Sequence, residues 1–173
     1  AGVERMVRDG ANVIATMGSF GECHTLLPAE FATLARETVA VVGRRVPLFV
    51  GVTSANARET VEKMRVVADT AADGVLVGVP YYFPSTLDNA VRFFREIAEL
   101  FPRLNILIYH NPALHHVTLP VEAFEALTKI PQIVGMKDSH RDTTTFMKLQ
   151  EVIRGRISVM VNQLQYVPYA QLG

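Results

Sequence analysis

The run Ile133-Val134-Gly135-Met136-Lys137 is short and apolar, and it ends in a lysine. One strand–helix unit earlier, the run Ile106-Leu107-Ile108-Tyr109 has the same character and ends in a tyrosine. Short runs of branched apolar residues are typical of strands that are buried on both faces, as in parallel sheets. The carboxyl ends of neighbouring parallel strands lie at the same edge of a sheet. The two runs therefore predict an amine and a phenol side by side at that edge.

Runs of this kind recur along the chain. Segments with apolar residues at helical spacing separate them, for example Val61, Met64, Val67 and Ala71. Such alternation predicts a parallel sheet with helical crossovers. The six predicted strands are residues 12–17, 47–52, 74–79, 104–109, 133–137 and 157–162.

Two α/β architectures fit this alternation, a doubly wound sheet and a TIM (β/α)8 barrel. No Gly-x-Gly-x-x-Gly or P-loop sequence follows any predicted strand, and polar residues follow nearly every one of them. Both observations favour the barrel. Because only six strands are visible and the first predicted helix begins close to residue 1, we expect residues 1–173 to form one partial barrel domain. It would cover about strands 2 to 7, without the first and last strands.

The composition limits the classes of partner. The chain has 173 residues, of which 49% are hydrophobic and 20% charged, and its net charge at pH 7 is +0. This balance favours neither nucleic acid nor a membrane as partner, and no apolar run approaches the roughly 20 residues of a membrane span. Residues 1–10 lack the apolar stretch of a signal peptide, so a cytoplasmic protein is expected. The single Cys23 excludes an internal disulfide and is expected to be a structural thiol.

A lysine at the end of a buried strand can carry covalent chemistry. Burial disfavours the ammonium form, and a neutral amine can attack a ketone. Lys137 and Tyr109 together therefore suggest Schiff-base chemistry. The alternative is that Lys137 is an ordinary lysine after a strand and Tyr109 an aromatic residue at the rim.

Two other strand ends carry candidate substrate contacts. Gly18-Ser19-Phe20-Gly21-Glu22 follows the first strand, where Gly18 and Gly21 permit a tight turn whose backbone N–H groups can bind a carboxylate. An ordinary glycine turn before a helix is the alternative. Pro80-Tyr81-Tyr82-Phe83 follows the third strand and is expected to form either a pocket wall or a subunit contact.

Four of these sequences together resemble one protein family. A Gly-x-x-Gly-Glu loop, a Pro-Tyr-Tyr loop, a Tyr-x-x-Pro strand end and a Gly-x-Lys-Asp/Glu-Ser/Thr strand end occur in this order along nearly the whole chain. This combination resembles the dihydrodipicolinate synthase and N-acetylneuraminate lyase family of pyruvate-handling class I aldolases.

The resemblance implies a role for each matching residue. Lys137 matches the lysine that forms an imine with the ketone of a pyruvate-derived substrate, and Tyr109 matches the tyrosine that shuttles protons. The Ser19–Phe20 step matches the loop that holds the pyruvate carboxylate, and Ser19 matches a hydroxyl that passes protons to the tyrosine. Tyr82 matches an aromatic position that contacts a second subunit in some members. The family also implies a homo-oligomer, often a tetramer, with a small 2-oxo acid as substrate and no metal or cofactor.

Two departures from the synthase pattern point to one branch of the family. Synthases carry an arginine for a distal carboxylate soon after the Tyr-x-x-Pro strand end, whereas this chain continues with Ala113-Leu114. Phe20 stands where synthases have a second hydroxyl. The Gly-Ser/Thr-Phe-Gly-Glu-Cys loop and the Tyr-x-Asn-Pro strand end together resemble the hydratase-aldolase branch, whose members act on benzylidenepyruvates in bacterial breakdown of polycyclic aromatic compounds.

The implied reaction hydrates and cleaves an aryl-substituted 2-oxobut-3-enoate to an aromatic aldehyde and pyruvate. Phe20 and Tyr82 would form an aromatic wall for the aryl group. Asn111 would bind the attacking water or the new hydroxyl, and is otherwise a turn residue before Pro112.

The remaining candidates are weaker. His110, His115 and His116 lack the geometry of a metal site, and His110 is expected to be a solvated loop residue or to contact an acidic group on the aryl ring. Arg141 and Asp142 are expected at an exposed helix start. Two alternatives remain open: another pyruvate-dependent member, such as 4-hydroxy-tetrahydrodipicolinate synthase or a sugar-acid lyase, and a barrel without turnover or an inactive truncated chain.

Overall fold

The computed structural model describes residues 2–139 and 142–172. In this part of the chain, six parallel strands form one sheet in sequence order, so each strand pairs with the next. The α/β class and the six predicted strands are confirmed, and the order is that of a half-barrel. The strands are β1 (Ile14–Thr16), β2 (Leu48–Gly51), β3 (Gly74–Val77), β4 (Asn105–His110), β5 (Ile133–Asp138) and β6 (Ser158–Met160).

Helices precede, connect and follow these strands. A single 3₁₀ turn, Ser19–Gly21, lies in the connection between β1 and the next helix. The helices are α1 (Gly2–Arg8), α2 (Pro28–Val42), α3 (Ala57–Ala68), α4 (Leu87–Leu100), α5 (Pro112–His115), α6 (Val121–Leu127), α7 (Thr143–Ile153) and α8 (Gln163–Leu172). None of them, within the described ranges, combines the length and apolar character that crossing a membrane requires.

Local sequence signals fix the helix ends. The side chain of Asn56 accepts a hydrogen bond of 2.9 Å from the Glu59 N–H, and Thr86 caps α4 in the same way through the Asn89 N–H. Gly43 ends α2 with φ of 57°, a left-handed conformation that costs glycine little.

The two faces of the sheet bury different partners. Val50, Val75 and Ile106 belong to the large core that also contains helix residues such as Phe94. The opposite face holds a smaller cluster of strand residues, Phe49, Leu76, Leu107 and Tyr109. Since side chains alternate along a strand, this smaller cluster lies on the inner face of the half-barrel, away from the helices.

A β-bulge sets the face on which the lysine lies. Ile106 pairs with Ile133, but Leu107 pairs with Gly135, so Val134 is an extra residue in β5. Without the extra residue, β5 would be shifted by one position and Lys137 would point to the helices. The bulge therefore places Lys137 on the inner face, where it pairs with Tyr109.

We predict that Gly51 is required for the close approach of the chain that follows β1. A Cβ at Gly51 would lie 2.0 Å from the backbone oxygen of Met17, which has little freedom to move. Gly51→Ala should therefore lower the free energy of unfolding by about 1–3 kcal/mol, measured by chemical denaturation. Gly2→Ala is the control, because nothing lies within 4 Å of a Cβ there. Equal stability of the two variants would contradict the prediction.

Candidate active site

The carboxyl ends of β4 and β5 bring Tyr109 and Lys137 together. The two residues pair in register, and the Lys137 Nζ lies 5.1 Å from the centre of the Tyr109 ring. The same amine donates a hydrogen bond of 2.5 Å to the Ser139 Oγ. An amine held over a phenol ring, with a hydroxyl to orient it, is an arrangement that suits a nucleophile and a proton-transfer group.

The Tyr109 hydroxyl is bound by two further candidate residues. The Ser19 Oγ lies 2.8 Å from the Tyr109 Oη, and the Asn111 Nδ2 donates to the same oxygen at 3.2 Å. Because an amide N–H can only donate, the phenol proton remains available to Ser19 or to a substrate. Four predicted site residues, Lys137, Tyr109, Ser19 and Asn111, thus converge.

A cavity of about 240 Å³ lies beside this group. The hydroxyl-bearing residues Ser19 and Tyr109 form part of its wall. Lys137 is not among the residues that line it. The wall is formed by Ser19, Cys23, His24, Thr53, Tyr81, Tyr109, Leu114 and His115.

The predicted carboxylate loop adopts a 3₁₀ turn. The Gly21 N–H donates to the Gly18 carbonyl at 3.0 Å, so Gly21 closes the turn rather than offering its N–H to a ligand. Gly21 thus shapes the predicted carboxylate loop by closing its turn, and its contact with a substrate stays a prediction. Within the described residues, the N–H groups of Ser19 and Phe20 have no protein acceptor.

The predicted aromatic wall of Phe20 and Tyr82 is not formed in this chain. The Phe20 side chain is fully exposed, and Tyr82 is 71% exposed and packs edge-to-face on Phe83 at 4.7 Å. Tyr82 lines a separate groove, and the neighbouring Tyr81 lines the cavity instead. In an irregular loop the side chains do not alternate regularly, so the sequence could not decide between the two tyrosines.

His110 differs from both expectations. It is the last residue of β4, is buried, and places its Nδ1 3.0 Å from the Asp138 Oδ1. Its Nε2 accepts a hydrogen bond from the Leu119 N–H at 3.1 Å, so Nδ1 carries the proton and donates to the carboxylate. His110 is therefore neither a solvated loop residue nor a substrate contact. It ties the ends of β4 and β5 together on the face opposite Tyr109 and Lys137.

The other minor candidates are structural or lie outside the described ranges. Burial raises the pKa of the Cys23 thiol, as befits a structural cysteine. Asp142 caps α7 through the Thr144 N–H at 3.0 Å, whereas Arg141 lies outside the described residues. Across residues 2–139 and 142–172, no group of three or more His, Cys, Asp or Glu is arranged to hold a metal ion.

His115 is a residue of the cavity that sequence reasoning missed. It is only 4% exposed, and its ring meets the Tyr109 ring edge-to-face at 5.0 Å. The pKa of His115 is lowered to about 4, chiefly by burial and then by the nearby His110 and His116, while the Tyr109 backbone acts in the opposite direction. The one-turn helix α5, which begins at Pro112, folds His115 back onto β4. No sequence pattern predicted this position of His115.

We predict that His115 gives the protein's stability a defined pH dependence. A histidine titrates near pH 6.5 in an unfolded chain, so between pH 6.5 and about 4 the unfolded chain binds a proton that folded His115 does not. The free energy of unfolding should therefore fall as the pH is lowered through this window. His115→Phe should remove up to about 1.4 kcal/mol per pH unit of that slope, measured by chemical denaturation.

The neighbouring His116 supplies the control for this measurement. It is exposed and has φ of 55°, which asparagine tolerates. His116→Asn should keep most of the parent pH dependence, because His116 is the smallest of the influences on the pKa of His115. A His115→Phe curve parallel to the parent curve would contradict the assignment.

Known proteins are similar to this chain in sequence and fold. The chain matches the dihydrodipicolinate synthetase family over residues 2–163. A trans-O-hydroxybenzylidenepyruvate hydratase-aldolase of Sphingobium xenophagum is 32% identical over 170 residues, 98% of this chain and 51% of the relative. A 4-hydroxy-tetrahydrodipicolinate synthase of Gluconacetobacter diazotrophicus is 32% identical over 152 residues, 88% of this chain and 51% of the relative. The chain thus spans about half the length of these curated relatives.

A solved structure agrees with the sequence matches. The structure of PhdJ bound to a substrate intermediate superposes with a TM-score of 0.90 at 32% identity, covering 98% of this chain and 53% of that one. The resemblance drawn from the sequence, to this family and its hydratase-aldolase branch, is therefore confirmed. The chain belongs to the dihydrodipicolinate synthetase family.

Proposed function

We propose that this protein is a class I hydratase-aldolase, a lyase that cleaves an aryl-substituted 2-oxobut-3-enoate of the benzylidenepyruvate type to an aromatic aldehyde and pyruvate. One observation carries the proposal: the Lys137 amine lies 5.1 Å from the ring centre of Tyr109, whose hydroxyl is bound by Ser19. Imine chemistry on a 2-oxo acid needs a nucleophilic amine beside a proton-transfer group. The relatives named as hydratase-aldolases support the same reaction.

The first half of the proposed reaction builds a hydrated imine. The Lys137 Nζ attacks the ketone carbon, and water leaves to give the protonated imine. The imine draws electrons from the conjugated double bond, so a water molecule adds to the carbon that bears the aryl group. Asn111 would orient this water, because its amide lies at the Tyr109 hydroxyl.

The second half breaks the carbon–carbon bond. Tyr109 removes the proton of the new hydroxyl, the aromatic aldehyde departs, and the electron pair of the broken bond is held as an enamine on Lys137. Ser19 relays the proton, since its Oγ lies 2.8 Å from the Tyr109 Oη. Protonation of the enamine carbon and hydrolysis of the imine release pyruvate and restore the free amine.

The cavity wall supports an aryl partner over a charged one. Leu114 and Tyr81 offer apolar and aromatic surface, and the residues that line the cavity include no lysine or arginine. Burial of a carboxylate without a partner costs several kcal/mol, whereas burial of an aryl ring is worth roughly 2–3 kcal/mol. Tyr81 and Leu114 thus take the role that the sequence suggested for Phe20 and Tyr82.

The alternative functions keep the same site residues but assign them a different reaction, or none. A synthase or a sugar-acid lyase would differ only in the aldehyde that joins or leaves pyruvate. The curated relatives named as synthases make the synthase reaction the second candidate. A barrel without turnover, or an inactive chain, would retain Tyr109 and Lys137 with no chemistry to perform.

Assembly and location belong to the proposal as well. We propose that the six strands correspond to about strands 2 to 7 of an eight-stranded barrel, in a cytoplasmic homo-oligomer that is a tetramer by analogy with the family. The exposed pair of Tyr82 and Phe83 supports a subunit contact, because large exposed aromatic residues are typical of interfaces.

We predict a covalent adduct on Lys137. Borohydride treatment of the protein with pyruvate should add the mass of a reduced pyruvate adduct to the peptide that contains Lys137, as read by mass spectrometry of peptides. Lys137→Ala should lose the adduct and several orders of magnitude in turnover, because the nucleophile is removed.

Two variants control the adduct experiment. Lys148→Ala removes an exposed lysine and should change neither adduct nor turnover. Tyr109→Phe should still form the adduct, while turnover falls by roughly 10²- to 10⁴-fold, the usual range for a positioned acid–base group. An adduct on another lysine would refute the role of Lys137.

We predict a preference for an aromatic substrate over a synthase substrate. The protein should release pyruvate and an aromatic aldehyde from a benzylidenepyruvate with a kcat/KM far above that for condensing pyruvate with aspartate semialdehyde. The physical reason is that no lysine or arginine lines the cavity to bind the carboxylate of the semialdehyde. Measuring both constants on one preparation decides the question, and a preference for the semialdehyde would assign the chain to the synthase reaction.

A further inference from the structure

His110 and Asp138 form a buried polar pair directly behind the residues of the proposed reaction. His110 is 6% exposed and Asp138 is 4% exposed. Along the chain, His110 follows Tyr109 and Asp138 follows Lys137. Successive side chains of a strand point to opposite faces of the sheet, so the polar pair lies on the outer face, one residue beyond Tyr109 and Lys137.

Both ring nitrogens of His110 have a partner, and this fixes the ring. The Nε2 accepts a hydrogen bond of 3.1 Å from the Leu119 N–H, in the connection between α5 and α6. The Nδ1 therefore carries the proton and donates it to the Asp138 Oδ1 at 3.0 Å. The imidazole is thus held in one tautomer and one orientation between a backbone amide and a carboxylate.

Further contacts hold the end of β5 in place. The Tyr169 hydroxyl of α8 lies 3.5 Å from the Asp138 Oδ2, and the Tyr169 ring stacks on Phe146 of α7 at 3.8 Å between ring centres. The Ser139 N–H donates to the His110 carbonyl at 2.8 Å. The end of β5 is therefore tied to β4 at two successive residues and covered by two helices.

Stability alone does not account for a buried imidazole and carboxylate. Their burial costs desolvation, and an apolar pair of similar volume would serve the core as well or better. An apolar pair would not specify the register, because it packs against more than one neighbour, whereas this hydrogen bond forms only when His110 faces Asp138. The register of β4 against β5 already shifts once, between Ile106 and Leu107. The polar pair fixes it again beyond that shift.

We propose that the hydrogen bond between His110 and Asp138 sets the position of the Lys137 amine relative to Tyr109. His110 and Asp138 are positioning residues, since neither lines the cavity. The inference rests on the proposed function only for the step that it affects. Imine formation with pyruvate needs the Lys137 amine, whereas cleavage of the carbon–carbon bond needs Lys137 and Tyr109 on one substrate at once. Loss of the hydrogen bond should therefore slow cleavage much more than imine formation.

Two amide variants separate the two hydrogen bonds of the imidazole. His110→Asn places an N–H donor near the position of Nδ1 and loses the acceptor for Leu119. His110→Gln places an acceptor oxygen near the position of Nε2 and loses the donor for Asp138. Each variant gives up one buried hydrogen bond, so both should lose a similar amount of stability. Only His110→Gln should lose the positioning.

The ratio of two rates measures the positioning. Borohydride trapping with pyruvate gives the rate of imine formation, and release of pyruvate from a benzylidenepyruvate gives turnover. In His110→Gln the ratio of turnover to trapping should fall by roughly 10- to 10²-fold, because a misplacement of about 1 Å costs up to this much. His110→Asn should keep the parent ratio. A purely structural role would lower both rates together, so an unchanged ratio in His110→Gln would overturn the proposal.

A double variant shows whether His110 acts through Tyr109. Once Tyr109→Phe has removed the hydroxyl, there is no proton-transfer group left to position. Adding His110→Gln to Tyr109→Phe should therefore cause little further loss of turnover, since residues that act as one unit are not additive. Losses that multiply would show that His110 does not act through Tyr109 and would contradict the proposal.

Two structural measurements need no turnover. In a crystal structure of His110→Gln, the distance from the Lys137 Nζ to the Tyr109 ring centre, 5.1 Å in the parent, should change by about 1 Å. In the ¹⁵N-labelled parent protein, His110 should show the resonances of the Nδ1–H tautomer, which serves if the variants do not fold. An unchanged distance, or the Nε2–H tautomer in the parent, would overturn the inference.

These outcomes are separate from those that test the lyase reaction. A parent protein that forms no adduct on Lys137 would refute the reaction, while the distance in His110→Gln would still decide the positioning. A parent protein that cleaves benzylidenepyruvates, with the same ratio of rates in His110→Gln, would refute the positioning alone.

Discussion

The register between β4 and β5 is the constraint on which the site depends. The extra residue Val134 shifts β5 by one position, and this shift turns Lys137 toward Tyr109 instead of toward the helices. The buried hydrogen bond between His110 and Asp138 holds the same register at the next pair of residues. A single slip of one strand would move every side chain of β5 to the wrong face. The inner and outer faces are thus fixed by one bulge and one buried polar pair.

The strands and the pairing of Tyr109 with Lys137 could be predicted from the sequence because both follow from regular structure. Apolar runs that alternate with helix-like segments are compatible with few folds. In these folds the last residues of parallel strands lie at one edge of the sheet. The predicted limits of β4 and β5 fell one residue short, since His110 and Asp138 are polar and gave no strand signal of their own. Their mutual hydrogen bond, which no local pattern encodes, keeps them in the strands.

The cavity wall could not be predicted in the same way. Phe20 was expected inside and is exposed, and Tyr81 rather than Tyr82 lines the cavity. Loops have no fixed period, so the direction of each side chain is decided by contacts with distant residues. His115 depends on the absence of a side chain at Gly78, far away in sequence. Such a fit between two remote positions is visible only once the chain is folded.

The short helix α5 supplies several residues of the site from one turn of chain. At its start, Asn111 contacts the Tyr109 hydroxyl. Within it, Leu114 forms part of the apolar wall and His115 supplies the buried imidazole. The lysine stands on a different element. Much of the cavity wall and Lys137 therefore lie on separate segments, so substitutions within one helical turn can reshape the cavity while Lys137 stays untouched. Changes in only a few neighbouring codons would therefore be enough to alter the shape of the cavity.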